Sequence, residues 1–341
     1  MPESLEDFVK NKPDLKYLFF GGKGGVGKTI GAAGVAYYFS EILGKRTLLA
    51  SLNPVHSLCS LFRQDLAGGD LVQLKGPANL YCCEVEIQDQ VEKFKKEIEQ
   101  KIAQFLKYAD IPIKTRDFVD IATTNPAFEE SAQFNKMIDM MIELGESGEY
   151  DILVFDCAAV ANAIRLIGLS KIYGLWLNRM IKSREEALSL RVKLSFRKEK
   201  IMREIAKDPL MADLIKTKET MDKARILLRD PKKTAFFFVT TPLALPISVV
   251  TRFISMVKEF DIPVGGVLVN MIIPEDAVRG QVSEYLKNKY IEQQDYLSQI
   301  KMDLGDLVRG TIPLFESEIQ GVKDISKVAE ALAVELKLHG L

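Results

Sequence analysis

The chain has 341 residues, 47% of them apolar, with 46 basic and 47 acidic side chains and a net charge of −1. That length suits one large α/β unit with an insertion, and the apolar share is enough for a sizeable core. Near-neutral charge argues against bulk electrostatic attraction to nucleic acid, so no nucleic-acid partner is expected.

In chain order, "MPESLEDFVKNKPDLK" is charged throughout and has no apolar leader, so a cytoplasmic protein is expected. "KYLFF" (Lys16 to Phe20) is a short β-prone run, and "TIGAAGVAYYFSEIL" (Thr29 to Leu43) suits a buried helix. Between them, Gly22-x-x-x-x-Gly27-Lys28-Thr29 has the P-loop spacing in its required strand-to-helix context. Its glycines, Gly22, Gly24, Gly25 and Gly27, with Val26, let backbone amides wrap phosphate oxygens. Lys28 is placed on the β- and γ-phosphates of ATP, and the Thr29 hydroxyl on Mg²⁺. Lys23 is not needed by that scheme.

"RTLLASL" (Arg46 to Leu52) is the next strand, and its Asn53-Pro54 turn is expected to face the γ-phosphate, where a water-positioning group belongs. "NLYCCEVEI" (Asn79 to Ile87) and "DILVFD" (Asp151 to Asp156) follow as strands, the second ending in Asp156, placed to hold Mg²⁺ through a water. "TAFFFVTT" (Thr234 to Thr241), "VGGVLVNMI" (Val264 to Ile272) and "LVRGTIP" (Leu307 to Pro313) complete seven expected strands. With helical patterns between most of them, these predict a doubly wound, mostly parallel sheet: one α/β P-loop NTPase domain over residues 1–341. No run reaches the roughly 18–20 continuous apolar residues of a membrane span.

The alternation breaks from Lys171 to Asp230, where about sixteen Lys and Arg face about nine Asp and Glu. With the stretch around Val91 to Ile111, this predicts an inserted α-helical subdomain from about 88–145 and 171–230. Trp176, Leu177, Met180, Leu210, Met211, Leu214 and Ile215 would be its core or an adaptable apolar groove, a use to which methionine is suited. The four cysteines, Cys59, Cys82, Cys83 and Cys157, show no C-x-x-C and no zinc spacing, so reduced, mostly buried thiols are expected. The C-terminal "ISKVAEALAVELKLHGL" is expected to pack on the sheet rather than to be a free membrane helix.

Lys23 in "GKGGVGKT" resembles the extra lysine of the deviant Walker A class of P-loop ATPases. In that class it reaches across a face-to-face dimer to the other subunit's phosphates, which implies a homodimer. "LNPVHSL", "FDCAAVANAIRLI", "TTPLALPISVVTRFISMVKEFDIPVGGVLVNMIIPED" and "TIPLFESEIQGVKDI" together resemble the ArsA and tail-anchored-targeting ATPase family over most of the chain. The resemblance implies an ATPase that uses ATP and Mg²⁺ and binds hydrophobic transmembrane helix clients, with a membrane receptor as a further partner. It places adenine at Asn270 and the closure around the base at Pro313 to Phe315. Two alternatives are an ATPase driving an arsenite pump, which needs clustered cysteines, and a ParA- or MinD-like partitioning or membrane-positioning switch.

Three departures from the family pattern stand out. Asn53 occupies the place of the aspartate that orients or deprotonates the attacking water; an amide can hold a water but cannot take its proton, so slow hydrolysis is expected. Asp156-Cys-Ala-Ala-Val-Ala-Asn-Ala-Ile-Arg165 replaces polar and glycine positions of the second switch with small apolar ones. No cysteine pair lies in Glu275 to Ile300, so no zinc is expected to join the dimer.

Overall fold

Each of the seven apolar runs forms a strand: β1 (Tyr17–Gly21), β2 (Thr47–Ser51), β4 (Leu80–Glu84), β5 (Ile152–Asp156), β6 (Thr234–Thr240), β7 (Val264–Ile272) and β8 (Val308–Pro313). The two-residue β3 (Val72–Gln73), too short to leave a periodic signal, is added before β4. The structure is a computed structural model and describes residues 3–53, 57–109, 126–157, 178–179, 181–182, 186, 209–279 and 283–333.

The strands form one sheet in the order β3-β4-β2-β5-β1-β6-β7-β8. All neighbours are parallel except β3, which pairs antiparallel with β4. The central strands β1, β2, β5 and β6 are buried along their whole length, as continuous apolar runs require when helices cover both faces. The side chains alternate across the sheet. Phe19 stacks between Phe155 and Phe236 on one face, at 5.0 and 4.5 Å, while Phe20 stacks on Phe237 at 5.5 Å on the other.

Among the described residues the α-helices are, in chain order, α1 (Leu5–Lys10), α2 (Lys28–Tyr37), α3 (Ser57–Phe62), α4 (Ile87–Ala109), α5 (Pro126–Glu146), α6 (Pro209–Arg229), α7 (Ala244–Glu259), α8 (Glu284–Leu304) and α9 (Gly321–Ala333). A π-helical turn, Tyr38–Ile42, continues α2. α9 buries Ile325, Val328, Ala329 and Leu332, a stripe at helical spacing, against the same core as α2. Gly34 is where the two helices meet, since a Cβ there would lie 2.6 Å from Val328. The C-terminal segment is therefore packed through Ala333, as expected, and residues 334–341 lie outside the described residues.

The chain divides into two compact units. One comprises Met1–Ile87, Met137–Ile164 and Leu228–Leu341 and contains the whole sheet. The other comprises Gln88–Lys136 and Arg165–Leu227, and its described secondary structure is helical. Trp176, Leu177, Met180 and the basic stretch from Arg191 to Lys200 lie outside the described residues. Among the described residues, no helix is long and apolar enough to cross a membrane.

Candidate functional site

Parallel strands place their C-terminal ends on one edge, and four of them line up there in register. Glu84 pairs with Ser51, Ser51 with Asp156, and Asp156 with Phe20, the residue that opens the glycine-rich loop. The loop runs from this edge into α2, whose N-cap is Gly27 in the left-handed region at φ 87°. No described side chain caps the first amides of α2, and the helix dipole there favours an anion.

Two glycines are sterically required. A Cβ on Gly22 would lie 2.4 Å from the Val239 carbonyl oxygen, and one on Gly27 would lie 2.1 Å from Asn270 Nδ2. Gly24 and Gly25 form the exposed rim of the loop, and Val26 is buried beneath it. Lys28 is half-buried, and its Nζ donates to the Lys23 carbonyl at 3.3 Å. Burial lowers its pKa, and the nearby Asp156 opposes that shift. The Lys23 side chain makes no ion pair with a described residue.

Thr29 Oγ1 donates to Asp156 Oδ2 at 2.6 Å. Asp156 is 1% exposed, and its other oxygen, Oδ1, has no hydrogen-bond partner among the described residues. Desolvation accordingly raises the pKa of this carboxyl, against the lowering effects of Thr29 and Lys28. A buried carboxylate oxygen with no donor costs about 1–3 kcal/mol unless a ligand supplies the partner. A hydroxyl and a carboxylate beside a phosphate cradle form the hard-oxygen donor set that suits Mg²⁺, which binds through one or two protein groups and substrate phosphates. Among the described residues, no cluster of three or more His, Cys, Asp or Glu could hold a metal ion.

Asn53 follows β2 directly. Its N–H donates to Ser51 Oγ at 3.3 Å, and Ser51 Oγ in turn shares a hydrogen with Ser57 Oγ at 3.2 Å. The next three residues, Pro54 to His56, lie outside the described residues, as does the second-switch segment after Cys157 through Arg165.

Asn270 lies on the strand behind the loop. It is buried on β7, its Nδ2 donates to the Val26 carbonyl at 2.9 Å, and its Oδ1 accepts from the Met271 N–H at 2.8 Å. Here it braces the loop from behind, while one amide hydrogen and one lone pair remain for a ligand. Met271 holds φ 60°, a strained value for a side chain of that size, so this turn is fixed by its surroundings. Pro313 ends β8 in register with Ile272, and Phe315 is half-buried against the core.

Glu84 is the residue that sequence reasoning missed. It is fully buried, and its two oxygens accept from consecutive amides at the start of α3, Leu58 at 2.8 Å and Cys59 at 3.1 Å. The available signal was an acid ending an apolar strand, as Asp156 does two strands away. None of the four cysteines is in a disulfide; Cys82, Cys83 and Cys157 are buried and Cys59 is partly so.

Comparison with known proteins gives a consistent result. A family model described as "Anion-transporting ATPase" (ArsA_ATPase) matches residues 15–334. "ATPase GET3B" of Arabidopsis thaliana is 31% identical over 90% of this chain and 76% of its own. "ATPase ASNA1 homolog 2" of Paramecium tetraurelia is 26% identical over 97% of each chain. "Putative arsenical pump-driving ATPase 2" of Aquifex aeolicus is 25% identical over 93% of this chain and 99% of its own.

Proposed function

The chain belongs to the ArsA family of ATPases, and from that premise we propose that it is an ATP-closed homodimer that binds the hydrophobic transmembrane segments of tail-anchored membrane proteins. The observation that carries the nucleotide part is the Thr29–Asp156 pair with its unpartnered Oδ1, set beside an uncapped, glycine-rich helix N-terminus.

In this reading the amides from Gly24 to Thr29 hold the phosphates, with Lys28 on the β- and γ-phosphoryl oxygens. Thr29 would hold Mg²⁺ directly and Asp156 through a water. The ion, when bound, neutralises charge on the phosphates. Gly22 and Gly27 allow the close backbone approach, and Asn270, Pro313 and Phe315 would meet the base. Lys23, with no ion pair to a described residue, would complete the partner subunit's phosphate site. Asn53 positions a water but cannot accept its proton, so turnover is slow, by analogy with losses of about 10²–10⁴ for a missing general base.

Support for the client reading comes from the second unit. On α6, Ile215 and Ile226 are 41% and 67% exposed, apolar surface of the kind that a client helix covers. A membrane receptor would accept the client from the closed dimer. An arsenite-linked reading is less well supported, because three of the four thiols are buried and burial raises the pKa of each of Cys82 and Cys157.

The test is phosphate release from Mg²⁺-ATP by the native chain and by Asn53→Asp, with and without a peptide carrying one transmembrane segment. Faster release by the aspartate variant, with peptide retained only in Mg²⁺-ATP, is expected. Peptide retention independent of nucleotide would refute the reading, and turnover stimulated by arsenite alone would replace it with the pump reading.

A further inference from the structure

Glu84 takes no part in the scheme above, yet it is one of the few fully buried charges among the described residues. A carboxylate withdrawn from water persists only where donors satisfy it. Here the donors include the Leu58 and Cys59 amides, two of the orphan N–H groups of α3. The carboxylate comes from β4, one strand away from β2, so its two hydrogen bonds fasten α3 to the sheet from the side. Ser57, at the head of α3, meets Ser51 Oγ at 3.2 Å, and the same oxygen accepts the Asn53 N–H. Two hydrogen bonds thus tie Glu84 to the start of α3, and two more run from Ser57 in the same helix through Ser51 to the backbone of Asn53.

The strand register places this set at the reaction edge. Glu84, Ser51 and Asp156 are level on adjacent strands β4, β2 and β5. Cys59 belongs to the same cluster, with its Sγ accepting from the Leu66 N–H at 3.3 Å and its thiol held up mainly by burial and secondly by Glu84. A helix cap from a distant strand is not required for stability alone, because a local Ser, Thr or Asp could cap so short a helix. What the distant carboxylate adds is a fixed position of α3 relative to β4 and β2.

We propose that Glu84 is a positioning residue for ATP hydrolysis, holding α3 and, through Ser57 and Ser51, the backbone of Asn53 at a set distance from the nucleotide. The inference rests on the nucleotide reading given above. It differs from a purely structural role in one respect: it predicts that phosphate release depends on Glu84 and that ATP affinity does not.

The experiment compares the native chain with Glu84→Gln and Ser57→Ala. Glutamine keeps the shape but turns an NH₂ toward an amide N–H, leaving one donor unpaired. Ser57→Ala breaks the same set without disturbing a buried charge, so it reports even if Glu84→Gln folds poorly. Hydrogen exchange at Leu58 to Phe62 is measured with and without Mg²⁺-ATP, and nucleotide Kd is measured separately. Steady-state kinetics are measured in the native and the Asn53→Asp backgrounds.

Mg²⁺-ATP is expected to slow exchange in the native chain. Both variants should bind it within about threefold of the native Kd, near the tenfold-per-1.4 kcal/mol scale of a single weak contact. They should lose the slowing and show kcat reduced about tenfold or more at unchanged KM, the pattern of a contact made only in the transition state. Equal slowing in the variants, or kcat and Kd failing together, would overturn the proposal. Failure of the native chain to bind Mg²⁺-ATP would instead refute the nucleotide reading on which it stands.

Discussion

Replacing Gly27 by alanine tests the loop geometry most sharply, because two independent costs can be assigned from the structure. The first is conformational: Gly27 sits at φ 87°, and a left-handed backbone costs a residue with a Cβ about 1–2 kcal/mol. The second is steric. The new Cβ would lie 2.1 Å from Asn270 Nδ2, so the amide must move and give up its bond to the Val26 carbonyl, worth about 1 kcal/mol. If the loop relieves both by abandoning its cradle shape, the sum of about 2–3 kcal/mol falls on nucleotide affinity, a loss of about 30- to 150-fold. The assay is Kd for Mg²⁺-ATP by titration calorimetry, in the native background and in Asn270→Ala. With the amide removed the clash disappears, and the penalty for Gly27→Ala should fall to the conformational part, about 1–2 kcal/mol. Binding by Gly27→Ala within twofold of native, or a penalty unchanged in Asn270→Ala, would refute the reasoning.

Three further outcomes are expected. Asp156→Asn should raise the melting temperature of the nucleotide-free protein, since the buried charge with an unpartnered oxygen is removed, and should abolish the added stabilisation by Mg²⁺-ATP; thermal melts with and without nucleotide check both. Tyr17, buried with its hydroxyl donating to the Met141 carbonyl at 3.1 Å, has its pKa pushed up to about 12 by burial from the usual 10.0. A raised folded-state pKa means stability that is complete below pH 10 and is lost as pH rises toward 12, by up to about 2–3 kcal/mol; absorbance titration of phenolate in the native chain and Tyr17→Phe tests this. Lys28→Ala should lose ATP binding, whereas Lys23→Ala should keep the monomer's affinity and lose only the nucleotide-dependent dimer, as equilibrium binding and light scattering would show.

The sheet was legible because its strands are apolar on both faces, a signal that survives without neighbours. Phe19, Phe155 and Phe236 could be assigned to strands one at a time, although their stacking could not. The loop was legible because Gly22 to Thr29 is a local spacing, and Asp156 because it ends an apolar run. Glu84 was not legible as part of the site. Its partners, Leu58 and Cys59, are backbone amides more than twenty residues away, and backbone donors leave no trace in side-chain letters. Asn270 was assigned to the nucleotide, but its bond to Val26 spans 244 residues of sequence and depends on the crossover that brings β7 behind the loop. β3 escaped because two residues carry no period. These omissions share a cause: each is fixed by which strands become neighbours, and that order, with β5 between β2 and β1, is a tertiary outcome.

The central claim, that ATP closes a homodimer through Lys23, is tested most directly by sedimentation velocity of the native chain with no nucleotide, with Mg²⁺-ATP, and with Mg²⁺-ATP after Lys23→Ala. The account predicts that Mg²⁺-ATP shifts the 38.3 kDa species to a dimer, and that Lys23→Ala removes the shift while nucleotide still binds. A mass that is the same with and without Mg²⁺-ATP, or a nucleotide-driven dimer that persists in Lys23→Ala, would contradict it.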